Sequence, residues 1–187
     1  MLIGQFVRQA EAVGAECRLV QDRREAVERI VSLLREEGVA DEPGRLAVWA
    51  CDGFLTESER DELARRFPAL HFEVTRDAAA RALIGVSEMD WGAAETGTLL
   101  SDSSAVARRL VSTLPPIHAA LLYADRIVAD MAAALGRLDA RKCAFVAAIT
   151  GPSRTADIER VLTIGVHGPR RLLILIIQNR EAGEAQP

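Results

Sequence analysis

Apolar and polar positions along this chain switch between a helical period near 3.6 and short unbroken apolar runs, the pattern of helices and strands taking turns. A weak helical pattern covers about Leu2 to Ala15. Asp22 then caps a clearer helix with Ala26, Val27, Ile30, Val31, Leu33 and Leu34 on one face, and Gly38 ends it. These two stretches form a helical N-terminal segment over about 2–38. Arg45 to Ala50 reads as a strand. Thr56-Glu57-Ser58-Glu59 is a capping box, opening a helix through Leu63, Ala64 and Phe67 that Pro68 stops.

The second half continues in the same manner. His71 to Thr75 reads as a strand, Asp77 as the cap of a short alanine helix, and Ala82 to Val86 as a strand. Ser87-Glu88-Met89-Asp90 resembles a further cap and predicts a short helix reaching Ala94. Gly97 to Leu100 is strand-like and Asp102-Ser103-Ser104 is a turn. Arg109 to Ser112 and Ala119 to Tyr123 read as strands, and Asp125 as the cap of a long helix ending near Leu138. A strand at 143–149, a helix at 155–164 and a strand at 172–177 complete the order. Such alternation predicts βαβ units around a mainly parallel sheet, hence an α/β fold. With 187 residues and no linker or repeat, the chain is expected to form one domain, 1–187.

Composition sharpens this only slightly. Aromatic residues make up 4%, so Ala, Val, Leu and Ile must build the core, as in a parallel sheet covered by helices. A formal charge of −4 gives no electrostatic ground for nucleic-acid binding, and the arginine pairs are scattered among acids. Cys17, Cys51 and Cys143 are an odd count at wide spacing that gives no support for disulfides, and the absence of C-x-x-C argues against a compact zinc or iron–sulfur motif. No apolar run approaches membrane-spanning length and the N-terminus lacks a secretory pattern, so a cytoplasmic protein is expected.

Three polar blocks carry candidate chemistry. The first is Glu95-Thr96-Gly97-Thr98. A partly buried Glu95 can serve as acid, base or nucleophile, whereas an exposed Glu95 is an ordinary solvated carboxylate. Gly97 permits close approach, and Thr96 and Thr98 offer hydroxyls, although threonine is also a common strand residue. The second block, Gly151-Pro152-Ser153-Arg154-Thr155-Ala156-Asp157, reads as a rigid bend into a helix start at the sheet's carboxyl edge. There Ser153, Thr155 and free amides would hold a carboxylate or phosphate. Simple helix capping accounts for Ser153, Thr155 and Asp157 equally well. The third block, Gly165-Val166-His167-Gly168-Pro169, places His167 and Gly168 in a tight turn. His118 follows Pro115-Pro116 and is a weaker candidate, and the histidine spacing gives no metal site. No G-x-G-x-x-G, P-loop or G-x-S-x-G motif is present, so no nucleotide or other cofactor is expected.

Taken in order, Glu95-Thr96-Gly97-Thr98-Leu99, Leu114-Pro115-Pro116-Ile117-His118, Gly151-Pro152-Ser153-x-Thr155-Ala156-Asp157-Ile158-Glu159 and Gly165-Val166-His167-Gly168-Pro169 resemble the LUD-domain family, in its small stand-alone lactate-utilisation branch. The resemblance covers roughly Asp77 to Gln178. It implies a three-layer α/β/α domain of the NagB/RpiA/CoA-transferase-like kind. It also implies a place in bacterial oxidation of L-lactate to pyruvate, beside iron–sulfur partner proteins. On that reading Glu95 and His167 act on a small organic acid or its activated ester. Thr96, Gly97, Thr98, Gly151, Ser153, Thr155, Asp157 and Gly168 bind it. An accessory subunit docked on the iron–sulfur proteins is the alternative, and an acyl-CoA or phosphosugar enzyme rests on fold analogy alone.

Overall fold

The computed structural model describes residues 2–50, 53–139, 141–156, 162–164 and 168–180. Its frame is a six-stranded sheet made of β1 (Glu16–Val20), β2 (Leu46–Ala50), β3 (Leu70–His71), β4 (Ala82–Glu88), β7 (Ile117–Tyr123) and β12 (Arg171–Ile177). The strands lie in the order β1-β12-β7-β4-β2-β3 and every pair is parallel. The runs that read as strands in the sequence are its centre: β2 and β7 are buried at every position. Full burial on both faces is what a parallel sheet requires, since its crossover segments cover both sides.

One face carries α2 (Arg23–Glu36) and α3 (Glu57–Arg66). Ile30, Leu34 and Leu63 pack there on Trp49, Ile84, Leu121 and Leu175. The cap and the capping box form as the sequence predicts: Asp22 accepts the Glu25 amide, and Thr56 and Glu59 cap reciprocally. Glu59 also takes a 2.8 Å bond from Arg23, which joins the two helices. That bond, set against the cost of burial and aided by the Thr56 amide and hydroxyl, lowers the Glu59 carboxyl to about 2.

The opposite face is covered in two parts. The helices α4 (Arg76–Ala80) and α5 (Val106–Thr113) pack on β2 and β4 through Ala79 and Val111. The remainder is closed by α1 (Leu2–Ala12) and a four-stranded sheet, ordered β8-β5-β6-β9, of β5 (Trp91–Ala93), β6 (Thr98–Asp102), β8 (Ile127–Val128) and β9 (Val146–Ile149). Phe6 and Ala10 of α1 meet Leu99, Ile127, Leu122 and Ile174 in one apolar cluster. The outer face of the small sheet is capped by α6 (Met131–Leu135), where Ala134 meets Trp91 and Leu100. The fold is thus a three-layer α/β/α arrangement with a small sheet set into one helical layer. Short strands β10 (Arg154–Ala156) and β11 (Leu162–Ile164) pair as an antiparallel ribbon outside it.

Six local expectations are corrected. Residues 87–94 are not helical: β4 runs on to Glu88 and β5 follows, because the Ser87 hydroxyl bonds His118 at 2.9 Å instead of capping. Residues 109–112 belong to α5, and Ala107, Leu110 and Val111 have the i, i+3, i+4 spacing of its apolar face. The long helix from Asp125 is absent. Asp125 instead accepts two bonds from Arg180, Ile127 and Val128 pair with Gly92 and Ala93, and Asp130 caps the short α6. Where a helix was expected over 155–164, the described residues Arg154–Ala156 and Leu162–Ile164 pair as the β10–β11 ribbon, consistent with the strand preference of Thr155, Thr163 and Ile164. The strand expected from His71 to Thr75 shrinks to Leu70–His71, and Thr75 rather than Asp77 caps α4.

His118 lies wholly buried in β7, its Nε2 bonded to Ser87 and its Nδ1 without a partner among the described residues. Burial pushes its imidazole from 6.5 down to about 4. The folded state therefore binds this proton more weakly than the unfolded chain. Stability from this group is intact above about pH 6.5 and falls as pH drops towards 4. The full loss is of order 3 kcal/mol. Denaturant titrations at pH 7 and pH 4.5 should show wild type losing more stability between them than His118→Gln, and equal losses would refute the assignment.

Candidate functional site

Thr96, Gly97 and Thr98 occupy the turn joining β5 to β6. The Thr96 and Thr98 hydroxyls lie 2.7 Å apart, and Thr98 continues to Thr150 at 2.8 Å. Thr150 directly precedes Gly151, so the first and second blocks are joined by a line of three hydroxyls. Glu95 stands exposed at the head of the turn, its amide donating to the Ala129 carbonyl at 2.9 Å. The half-buried Ser153 donates its amide to the Pro169 carbonyl at 2.8 Å, and a side chain on Gly168 would meet Ser153 at about 3.1 Å. Arg170 in turn donates to the Pro116 carbonyl at 2.9 Å. The described parts of all four blocks therefore meet on one region of the molecule.

That region is the amino end of β7 and β12, not the carboxyl edge expected for the Gly-Pro-Ser block. The cause is the β10–β11 ribbon, which replaces a helix start and returns the chain to the beginning of β12. Thr155 lies in β10, and its side chain, like Asp157 and His167, falls outside the described residues.

The two glycines at the centre are held against α1. Gly97 has φ +66°, and a Cβ there would stand 2.3 Å from the Ala10 amide nitrogen. Gly151 has φ +77°, with a Cβ position 2.7 Å from the Val13 carbonyl oxygen. The same carbonyl accepts from the Arg154 guanidinium. The end of α1 is thus clasped by both blocks, and the N-terminal segment forms one wall of the site.

A second constellation lies at the carboxyl edge, built from residues that in the sequence read only as caps and scattered arginines. Asp90 accepts from Arg108 at 2.8 Å and from the Asp102 amide at 2.6 Å. Arg126, in the turn after β7, faces Glu88 at 3.5 Å and Asp90 at 3.9 Å. Its Nε is shielded from solvent and has no partner among the described residues. An unpaired buried donor of this kind costs about 1–3 kcal/mol. Burial raises the Glu88 carboxyl above its ordinary value, Arg126 and Arg108 pull it down and Asp90 pushes it up. Asp90, Asp102, Arg126, Arg137 and Lys142 line a cavity of about 320 Å³ beside this cluster. The signal available in sequence was charge directly after an apolar strand run: Glu88 after Ala82–Val86, and Asp125-Arg126 after Ala119–Tyr123.

Among the described residues no group of three or more His, Cys, Asp or Glu side chains could hold a metal ion. No helix among them is long and apolar enough to cross a membrane.

Comparison with known proteins places these features in context. The family model for the LUD domain matches residues 3–177, which extends the likeness to the N-terminal helix that the blocks clasp. Lactate utilization protein C of Anoxybacillus flavithermus is 36% identical over 105 residues, covering 56% of this chain and 48% of that protein. Its counterpart in Bacillus licheniformis is 33% identical over 144 residues, covering 73% and 60% respectively. The chain spans about half the length of the curated relatives it matches. The crystal structure of a DUF162 family protein from Deinococcus radiodurans shares the fold, with a TM-score of 0.62 at 19% identity and coverage of 94% and 96%.

The clasp on α1 is open to direct test. Gly97→Ala must place a methyl group in the α1 backbone and hold it at positive φ, so a loss of about 2–4 kcal/mol is expected. Urea unfolding measures this, and a variant within experimental error of wild type would show that the turn and α1 are not in contact.

Proposed function

This chain belongs to the LUD-domain family, and we propose that it serves bacterial L-lactate utilisation by binding or acting on a small organic acid, or its activated ester, where its four sequence blocks meet. The observation that carries this reading is the hydroxyl line Thr96–Thr98–Thr150, which ends beside Gly151 and Ser153. Surface hydroxyls are suited to a carboxylate, which accepts hydrogen bonds at both oxygens, whereas the Ser153 amide is taken by the Pro169 carbonyl. Ser153 and Thr155 hold the acid, with Thr96, Thr98, Gly151 and Gly168 shaping the surface around it. Glu95, exposed in the free protein, exchanges the proton once a bound acid covers it, and His167 and Asp157 complete the set. Oxidation of lactate to pyruvate releases two electrons and two protons. In this proposal the electrons pass to iron–sulfur partner proteins; the names of the relatives as lactate utilization protein C support the lactate role alone.

A second reading has its own observation. Phe145 is 50% and Val146 38% exposed on the segment that leads into Thr150. Among the described residues β9 pairs on one side only, with β6. An apolar strand edge beside the blocks suits an accessory subunit docked on the same partners.

A thermal-shift series with lactate, pyruvate, phosphate and CoA esters decides between them. A ligand at about 100 times its Kd adds about 2.7 kcal/mol. The expected result is a shift in wild type that is lost in both Ser153→Ala and Glu95→Gln. No shift with any compound, together with partner co-purification that Val146→Asp abolishes, would replace the first reading with the second.

A further inference from the structure

We propose that the carboxyl-edge cavity is a second ligand site, built for a small carboxylic acid that docks on Arg126 and Arg137. The carboxylates around the cavity are already satisfied. Asp90 receives Arg108 and the Asp102 amide. Asp102 receives the amide and hydroxyl of Ser104 at 3.0 and 2.5 Å. Asp139 receives the Arg141 amide at 3.0 Å and faces Lys142 at 3.8 Å. Each carboxylate lining the cavity therefore has donors from the protein itself.

The cations are in a different position. Arg126 is 17% exposed, and its ion-pair distances of 3.5 and 3.9 Å are too long for good hydrogen bonds. Its Nε proton has no acceptor among the described residues. Arg137 is exposed at the rim and lies over the Trp91 ring at 5.3 Å, with no carboxylate among its described contacts. A guanidinium presents paired donors in a plane that matches a carboxylate. An acid in the cavity therefore meets the exposed Arg137 and the part of the Arg126 guanidinium that lines it, where the ion pairs to Glu88 and Asp90 are long. The shielded Nε stays out of its reach. Trp91 supplies an apolar wall for the carbon chain. A volume of about 320 Å³ is at the lower end of ligand pockets and suits a small molecule. The site uses neither Glu95 nor Ser153 and lies at the opposite end of the sheet from them.

The two tryptophans make the test specific, because Trp91 lines the cavity and Trp49 is buried in the core on the other face. Indole N–H signals would be followed by NMR in wild type, Arg126→Gln, Arg137→Ala and Ser153→Ala during titration with acetate, lactate, pyruvate, malate and inorganic phosphate. At least one acid is expected to move the Trp91 signal and leave Trp49 in place. Affinity should fall at least tenfold in Arg126→Gln and severalfold in Arg137→Ala, and stay unchanged in Ser153→Ala. If Arg126→Gln does not fold, the exposed Arg137→Ala carries the test. The proposal is overturned if no acid moves Trp91 at millimolar concentration, if Arg137→Ala binds as wild type does, or if phosphate binds as tightly as the acids. Loss of Trp91 shifts in Ser153→Ala would also overturn it, by tying the signal to the other end of the sheet.

Discussion

The constraint on which this structure depends is that a parallel sheet must be covered on both faces. The centre of the sheet, β4, β7 and β12, carries Ile, Val, Leu and Ala on alternate sides, and neither side can face water. On one side α2 and α3 meet the requirement with long apolar side chains. On the other, α1 and a second sheet do so together, and they fit only because the Gly97 turn and the Gly151 bend come close to the backbone of α1 and the turn after it. The blocks that mark the family are therefore also the points at which this cover is fastened.

From that arrangement the two ends of the sheet acquire different chemistry. The amino end collects hydroxyls and backbone groups: Thr96, Thr98, Thr150, the Ser153 amide and the carbonyls of Pro116 and Pro169. The carboxyl end collects charge, with Glu88, Asp90, Arg108 and Arg126 following the ends of apolar strands. Partial burial gives that charge its character: desolvation raises Glu88, and the guanidinium of Arg126 is held near two carboxylates without closing a hydrogen bond to either. A neutral His118 lies in the core between these ends, kept uncharged by complete burial.

Local readings held where local physics decides. The Asp22 cap, the Thr56–Glu59 box, and the apolar runs of β2, β4, β7 and β12 all formed, because a cap or a buried strand is specified within a few residues. The readings that changed share a cause. Ser87 looked like a cap until His118 took its hydroxyl, and Asp125 looked like a cap until Arg180, 55 residues away, took its carboxylate. Residues 91–93 and 127–128 became strands because they pair with one another and with β6, a choice made between distant segments.

The sequence alone determined the α/β class, the parallel centre of the sheet, the helices of the first half and the blocks by which the family is recognised. The first three follow from short-range periodicity and composition, and the last from the resemblance those blocks carry. Only the tertiary structure decided that the blocks meet at the amino end of the strands, that the N-terminal helix is part of their surroundings, and that Arg126 comes to face Glu88 and Asp90 beside a cavity. Such contacts join residues far apart in the chain, and side-chain burial and pairing across that distance follow from packing, which no local pattern encodes.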